Sequence, residues 1–448
     1  MIKKLIATFR TSLLGRVILN AGWASATLPA NLIFGLIQTG LMARLLGPEG
    51  VGEITLFASV TGFVGGLLSL SSSEATLVFV TKALTENNKD LASHLIRFFY
   101  RIDFLLSILT FTIVALLSLV VPKYLKIPAG DEWLQVVYGL TLVFQSTYWI
   151  SHALLRVANR FSWTFLHSIA HSLIKLAGVA LLYYVKSGLG QFVFLLVLLS
   201  LLDGVSIYIL AQIAIKKQQL YTEQGLSLPW WKIPREVWRF EGINFGRNSI
   251  KVFYNYLDVL MIGYLQNPLS VGYYRAAKQV ADLVNSSGNA VVASIAPEYT
   301  RLWFSGDFAR LKRLAGRIAV LLCGGITIII VASIFFLDPA IRLLFGEAFL
   351  PAKPIMLILM AAALVVVAIN PINNLLASIG KVGYSMAANL LGVILQTILL
   401  MLLAPIFGIV GAAWAKCAAV ITMQLFMLPF TIKHLNTVNR MENKDEIC

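Results

Sequence analysis

Apolar residues along this chain gather into runs of about 20, separated by short polar connections, from Val17 almost to the C-terminus. As a helix, a run of that length crosses roughly 30 Å of hydrocarbon, because each residue adds about 1.5 Å. Twelve such spans are predicted, over 17–43, 52–79, 97–121, 133–155, 163–185, 191–215, 241–264, 271–299, 314–337, 355–379, 382–405 and 409–432. The fold class that follows is all-α, a polytopic membrane protein. Ala24-Ser25-Ala26 imitates the cleavage site of a secretory signal, but the apolar run continues through Leu45, so the first helix reads as retained.

Composition agrees with the pattern. At 58% hydrophobic and 13% charged residues, with a mean hydropathy of +0.80, 448 residues cannot make a soluble surface. The net charge of +15 would suit nucleic acid if the basic residues clustered on one face, but they sit in the gaps between apolar runs. Basic residues favour the cytoplasmic side, so alternate gaps test the topology. With the N-terminus inside, 24 of the 36 Lys and Arg fall in cytoplasmic segments or the span ends adjoining them (Arg97, Arg101 and Arg317), 6 in outside loops and 6 deeper within spans. This predicts an even number of spans with both termini cytoplasmic. The three cysteines, Cys323, Cys417 and Cys448, suggest neither a disulfide framework nor a metal site.

The longest connection contains LPWWKIPREVWRF, which interleaves Trp230, Trp231 and Trp238 with Lys232, Arg235 and Arg239. It reads as an interfacial aromatic belt between two halves, with contact to a lipid substrate as the sharper alternative. A repeat supports the halves: Pro48, Gly50-Val51-Gly52 and Gly22 recur as Pro268, Ser270-Val271-Gly272 and Gly242, an offset of 220 residues. The domains expected are an N-terminal six-helix bundle over 1–216, a cytoplasmic linker over 217–240 and a C-terminal six-helix bundle over 241–448. Six helices per half keep both halves in one orientation, with a pseudo-two-fold axis along the membrane normal and the substrate path between them.

Charges inside a bilayer cost on the order of 2.5–3.5 kcal/mol each, so they should face protein or water. The seventh and eighth spans hold most of them. Asn244, Arg247, Lys251, Asn255 and Asp258 recur on the seventh at spacings of three or four, and Arg275, Lys278, Asp282, Asn285 and Asn289 do so on the eighth. Each set therefore lies on one helix face, and together they predict a hydrated cavity. Counting depth at about 1.5 Å per residue puts Arg247 level with Asp282 and Arg275 level with Asp258. Pairing on that basis leaves Lys251 and Lys278 as free cations near the midplane, where an anionic group would be welcome. Asp258 and Asp282 are either pairing partners or ion-coupling groups, and a purely structural network is the competing account. Four cations against two anions leave a surplus that favours an anionic ligand.

The N-terminal half has Thr27 and Asn31 where the repeat has Arg247 and Lys251, and Thr55 and Ala58 where it has Arg275 and Lys278. Its fifth span carries His167, His171 and Lys175 on one face. Two imidazoles without a third ligand do not make a metal site. Lys175 either lines the substrate path or pairs with Asp203 of the sixth span, and the histidines either line a cavity or pack. Glu74, Glu298 and Lys416 stand alone near span ends, where local pairing or snorkelling accounts for them. There is no Walker motif, dinucleotide fingerprint or nucleophile elbow, and no cofactor is called for.

Several segments together resemble the polysaccharide flippases, Wzx-like, of the multidrug/oligosaccharidyl-lipid/polysaccharide (MOP) exporter superfamily. They are RLLGPEGVG after the first span, LDVLMIGYLQNPLSVGYYRAAKQV across the seventh and eighth, FGEAFLPAKPIMLIL before the tenth, GKVGYSM before the eleventh and FGIVGAAWA opening the twelfth. Their order and spacing cover nearly the whole chain. The resemblance implies a V-shaped pair of bundles in the bacterial inner membrane, opening a cationic cavity to each side in turn. It also implies an undecaprenyl-pyrophosphate-linked oligosaccharide as cargo, destined for O antigen, capsule or exopolysaccharide. Membrane lipids, a polysaccharide polymerase and chain-length proteins are the partners it suggests, with H+ or Na+ coupling left open. Carried over, the cargo-binding cations are Arg247, Lys251, Arg275 and Lys278. This chain departs from the lipid II flippases, which usually have basic residues in the first helix and two further C-terminal helices.

Two other functions compete. A drug/cation antiporter calls for an acid-dominated cavity, against which the excess of bases argues. A membrane glycosyltransferase or polymerase calls for long outside loops with catalytic groups, and the longest here is about 17 residues near Asp338 to Pro354.

Overall fold

The computed structural model describes residues 13–70, 72–218, 233–378 and 382–445, with the side chains of 13–29, 289–294 and 434–445 among those left out. The basic N-terminal residues 1–12 and the Trp230-Trp231-Lys232 segment therefore lie outside the described residues, as does Lys381. The long helices are α1 (Leu13–Leu68), α2 (Lys89–Leu117), α3 (Glu132–Phe144), α4 (Tyr148–Val157), α5 (Phe161–Val185), α6 (Leu189–Lys217), α7 (Arg235–Leu265), α8 (Pro268–Phe304), α9 (Phe308–Leu344), α10 (Lys353–Ser378) and α11 (Val382–Asp445). Each of the twelve predicted spans coincides with a helix, with part of one, or with consecutive helices. Among the described residues, seven helical stretches are long and apolar enough to cross a membrane. Two of them carry a pair of spans each, because α1 kinks at Gly47 (φ 68°) and α11 at Gly408 (φ 59°). Helices α7 and α8 fall outside that set because they bear the charges.

One span is built differently from the expectation. The run over 133–155 breaks at Gln145-Ser146-Thr147 into α3 and α4. Two of the three polar side chains find carbonyls to donate to: Ser146 Oγ bonds that of Val143 at 2.7 Å, and Thr147 Oγ1 bonds that of Gly204 in α6 at 3.3 Å. Backbone groups freed inside a membrane protein need such partners.

The chain divides into two compact units. One comprises Met1–Leu45 with Phe57–Val252, the other Leu46–Leu56 with Phe253–Cys448. The division thus falls inside α7, after Val252, rather than in the connection over 217–240. In the first unit α6 packs against α3, α4 and α5. Its core gathers Leu95, Ile96, Phe98, Phe99, Leu154, Ile207 and Val237. Trp238 lies edge-on to Phe98 at 5.6 Å between ring centroids, so this end of the aromatic segment docks on the core. In the second unit α10 packs against α8, α9 and α11. The outer face of α9 leaves Leu321 and Phe335 each 74% exposed, as expected where lipid replaces water as the solvent.

The repeat is visible in the second unit. Pro48 and Pro268 each stand in the first turn of a helical segment, and Gly52 and Gly272, four residues on, meet each other's opening turn.

Candidate functional site

Helices α7 and α8 are joined by a tight turn in which Asn267 caps α8, its Oδ1 accepting from the Ser270 amide at 2.9 Å. Counting out from that turn puts Asp258 level with residues 274–275. The level is right, but the face decides the partner. Tyr274 and Lys278, four residues apart, share one face of α8. The Tyr274 hydroxyl donates to Asp258 Oδ2 at 3.0 Å, and Lys278 Nζ donates to Oδ2 at 3.0 Å and to Oδ1 at 3.3 Å. Arg275 is rotated about 100° from Tyr274, is half-buried, and acts at longer range on Asp282 and Tyr256. The expected Arg275–Asp258 pair is therefore replaced by Lys278–Asp258, and Lys278 is not a free cation.

A second ammonium reaches the same carboxylate. Lys416 of α11 lies 3.5 Å from Asp258 Oδ2. It also donates to the Tyr254 carbonyl at 3.3 Å and to Gln396 Oε1 at 3.1 Å, and it stands 3.7 Å from the centre of the Tyr254 ring. The Asp258 side chain is 0% exposed, against 19% for Lys278 and 11% for Lys416. Lys416 is thus held by partners distant in the chain, where the sequence suggests local pairing or snorkelling, and its charge faces the buried centre of the polar stripe. The signal that points to it is the lack of any acid on its own span, which forces the partner to come from another helix. Asp282 is exposed and within electrostatic reach of Lys278, Arg275 and Lys416.

The remaining stripe residues divide by environment. Asn255 is exposed, and its backbone carbonyl accepts from Lys278 Nζ at 3.1 Å. Asn285 is half-buried, with an Oδ1 that finds no hydrogen-bond partner among the described residues. Asn289 belongs to α8, but its side chain lies outside the described residues. In the first unit's part of α7, Asn244 is buried and Arg247 pairs with Glu74 rather than with Asp282. Lys251 is exposed and makes no ion pair among the described residues. Glu298 pairs with Arg301 one turn along the same helix, at 3.6 Å.

The fifth-span face also resolves. Asp203 of α6 is buried, with Oδ1 3.4 Å from His171 Nδ1 and 3.7 Å from His167 Nε2. His167 Nε2 is 2.8 Å from the Ser206 hydroxyl. Lys175 acts on Asp203 electrostatically, so the carboxylate is shared by the whole face instead of by Lys175 alone. Among the described residues no group of three or more His, Cys, Asp or Glu could hold a metal ion. The second unit offers ammonium and guanidinium groups, a donor set that suits an oxyanion.

Comparison with known proteins agrees with this architecture. A model of the family described as polysaccharide biosynthesis protein matches residues 41–354. The inner membrane protein YghQ of Escherichia coli K12 is 21% identical over 340 residues, which is 75% of this chain and 94% of that protein. A probable low-salt glycan biosynthesis flippase, Agl15 of Haloferax volcanii, is 26% identical over 198 residues, covering 43% of this chain and 40% of that protein. Among solved structures, an inward-facing MATE family multidrug resistance transporter of the MOP superfamily superposes with a TM-score of 0.71 at 12% identity, over 92% of this chain and 96% of that one. The lipid II flippase MurJ, in an inward closed conformation, gives 0.66 at 16% identity, over 92% and 89%. Because the family match takes in well over half of its residues, this multi-pass membrane chain belongs to the polysaccharide biosynthesis protein family.

Proposed function

We infer that the chain is a flippase for a polyprenyl (undecaprenyl) pyrophosphate-linked oligosaccharide, feeding O-antigen, capsule or exopolysaccharide assembly. The observation that carries this reading is the sharing of one buried carboxylate, Asp258, by two ammoniums. Arg275 and the exposed Lys251 add to the excess. In the second unit Lys278, Arg275 and Lys416 stand against Asp258 and Asp282, so a positive surplus persists there, while in the first unit Arg247 is neutralised by Glu74. A doubly charged pyrophosphate neutralises such a surplus in a medium where it is otherwise costly. The names of Agl15 and MurJ, a glycan biosynthesis flippase and a lipid II flippase, point the same way.

In this reading the headgroup enters by alternating access while the prenyl tail stays in lipid. The protein sits in the bacterial inner membrane with both termini cytoplasmic, as the distribution of basic residues predicts. Its drive is a proton, Na+, or the membrane potential acting on the charged cargo at about 2.3 kcal/mol per charge per 100 mV. A polysaccharide polymerase and chain-length proteins take up the product. The test is surface glycan in a flippase-deleted host carrying a Lys251→Gln, Lys278→Gln double variant. Export is expected to collapse, and full export by a variant that inserts normally would overturn the assignment.

A further inference from the structure

The pairing of Lys278 with Asp258 poses a physical problem for headgroup capture. An incoming anion must take Lys278 from a carboxylate whose side chain is 0% exposed. Removing the partner of a buried charge is strongly unfavourable, because water cannot replace it. The second ammonium answers this. Lys416 is held by the Tyr254 carbonyl at 3.3 Å, by Gln396 Oε1 at 3.1 Å and by the Tyr254 ring at 3.7 Å, so it stays beside Asp258 whatever Lys278 does. The Tyr274 hydroxyl, at 3.0 Å, remains as well. Lys278 is the more exposed of the two ammoniums, at 19% against 11%, and its flexible four-carbon stem lets it change partners.

We propose that Lys416 is a resident counter-charge that keeps Asp258 neutralised while Lys278 swings from the carboxylate to a pyrophosphate oxygen of the cargo. Lys416 is thus a positioning residue: it does not touch the ligand, but it sets how readily Lys278 is released. The inference rests on the cargo reading above and adds the residue that makes the pairing reversible.

The test uses the full-length protein in lipid nanodiscs and measures binding of geranylgeranyl pyrophosphate by thermophoresis. Inorganic pyrophosphate and geranylgeraniol serve as parallel probes that separate a lipid headgroup from a free ion and from the prenyl chain. Lys416→Met is expected to weaken binding about tenfold, because Lys278 is then the only ammonium beside Asp258. Adding Asp258→Asn to Lys416→Met is expected to restore at least wild-type affinity, since an amide needs no counter-charge and Lys278 is released. A purely structural lysine would not give that rescue. Wild-type binding by Lys416→Met, or a double variant no better than the single, overturns the proposal. If Lys416→Met does not insert, the comparison of Asp258→Asn with the double variant decides: equal affinities support the proposal, and a weaker double variant overturns it by placing Lys416 on the ligand. Lys278→Gln tests the cargo reading separately. Unchanged binding there sinks that reading, whereas loss in Lys278→Gln with no change in Lys416→Met sinks only the counter-charge.

Discussion

Gly52 and Gly272 meet backbone against backbone, each lying where the other's helix opens. A Cβ on Gly52 would stand 1.7 Å from the Pro268 carbonyl oxygen, and one on Gly272 would stand 1.8 Å from that of Pro48. No rotamer change relieves a collision with backbone. Gly52→Ala and Gly272→Ala are therefore each expected to cost about 3 kcal/mol or more, at or beyond the upper range for overpacking. Because both act on one contact, the double variant should cost much less than the sum. Thermal unfolding of the detergent-solubilised protein measures this, with Gly316→Ala, which has open space around it, as the control.

The Glu74–Arg247 pair should matter little to stability. Its side chains are 49% and 37% exposed, and in the hydrated cavity expected for this stripe such water-exposed ion pairs contribute under about 1 kcal/mol. Glu74→Gln is expected to leave the unfolding midpoint nearly unchanged. If Arg247 also serves the cargo, Arg247→Gln lowers glycan export far more than it lowers that midpoint. Comparable losses in both measurements would show a structural role instead.

Asp203 behaves differently because it is buried between two imidazoles. Replacing it with Leu removes the carboxylate that lies 3.4 Å from His171 Nδ1 and 3.7 Å from His167 Nε2, at an expected cost of about 1–3 kcal/mol. Removing His171 in the same chain should return part of that loss. A double-mutant cycle between Asp203 and His171 is expected to give a coupling of about 0.5–3 kcal/mol, and independent, additive losses would count against the contact.

Asn31 ties α1 to α5 through three hydrogen bonds: it donates to Ser168 Oγ at 2.8 Å and accepts from Ser168 and Ser172 at 3.0 and 3.1 Å. Such bonds average about 0.6 kcal/mol each in membrane proteins. Asn31→Leu is thus expected to cost about 2 kcal/mol in unfolding experiments, most of which Ser168→Ala, Ser172→Ala should reproduce.

The spans were legible because a bilayer imposes a length and a polarity on every crossing, and the chain's apolar runs obey both. The break at Gln145-Ser146-Thr147 was written in the sequence too, as three polar residues inside an apolar run, but length alone does not separate one span from two short helices. At the polar site, periodicity put Asp258 on α7 and Lys278 and Arg275 on α8, and counting out from the turn set Asp258 within a turn of its partners. It could not choose the partner, because the rotation of α8 about its axis is set by packing. Tyr274, fully buried, marks the face that meets Asp258, but a tyrosine in an apolar span looks like filler. Lys416 lies some 140 residues further along, and no local spacing links it to α7.

The ammonium of Lys416 stands among three oxygens, those of the Tyr254 carbonyl, the Gln396 amide and the Asp258 carboxylate. Being bonded to the chain, it cannot be diluted away. Its local concentration is the same in fresh medium and in brine, so the electrical character of this corner is written into the gene and does not follow the ionic composition outside the cell.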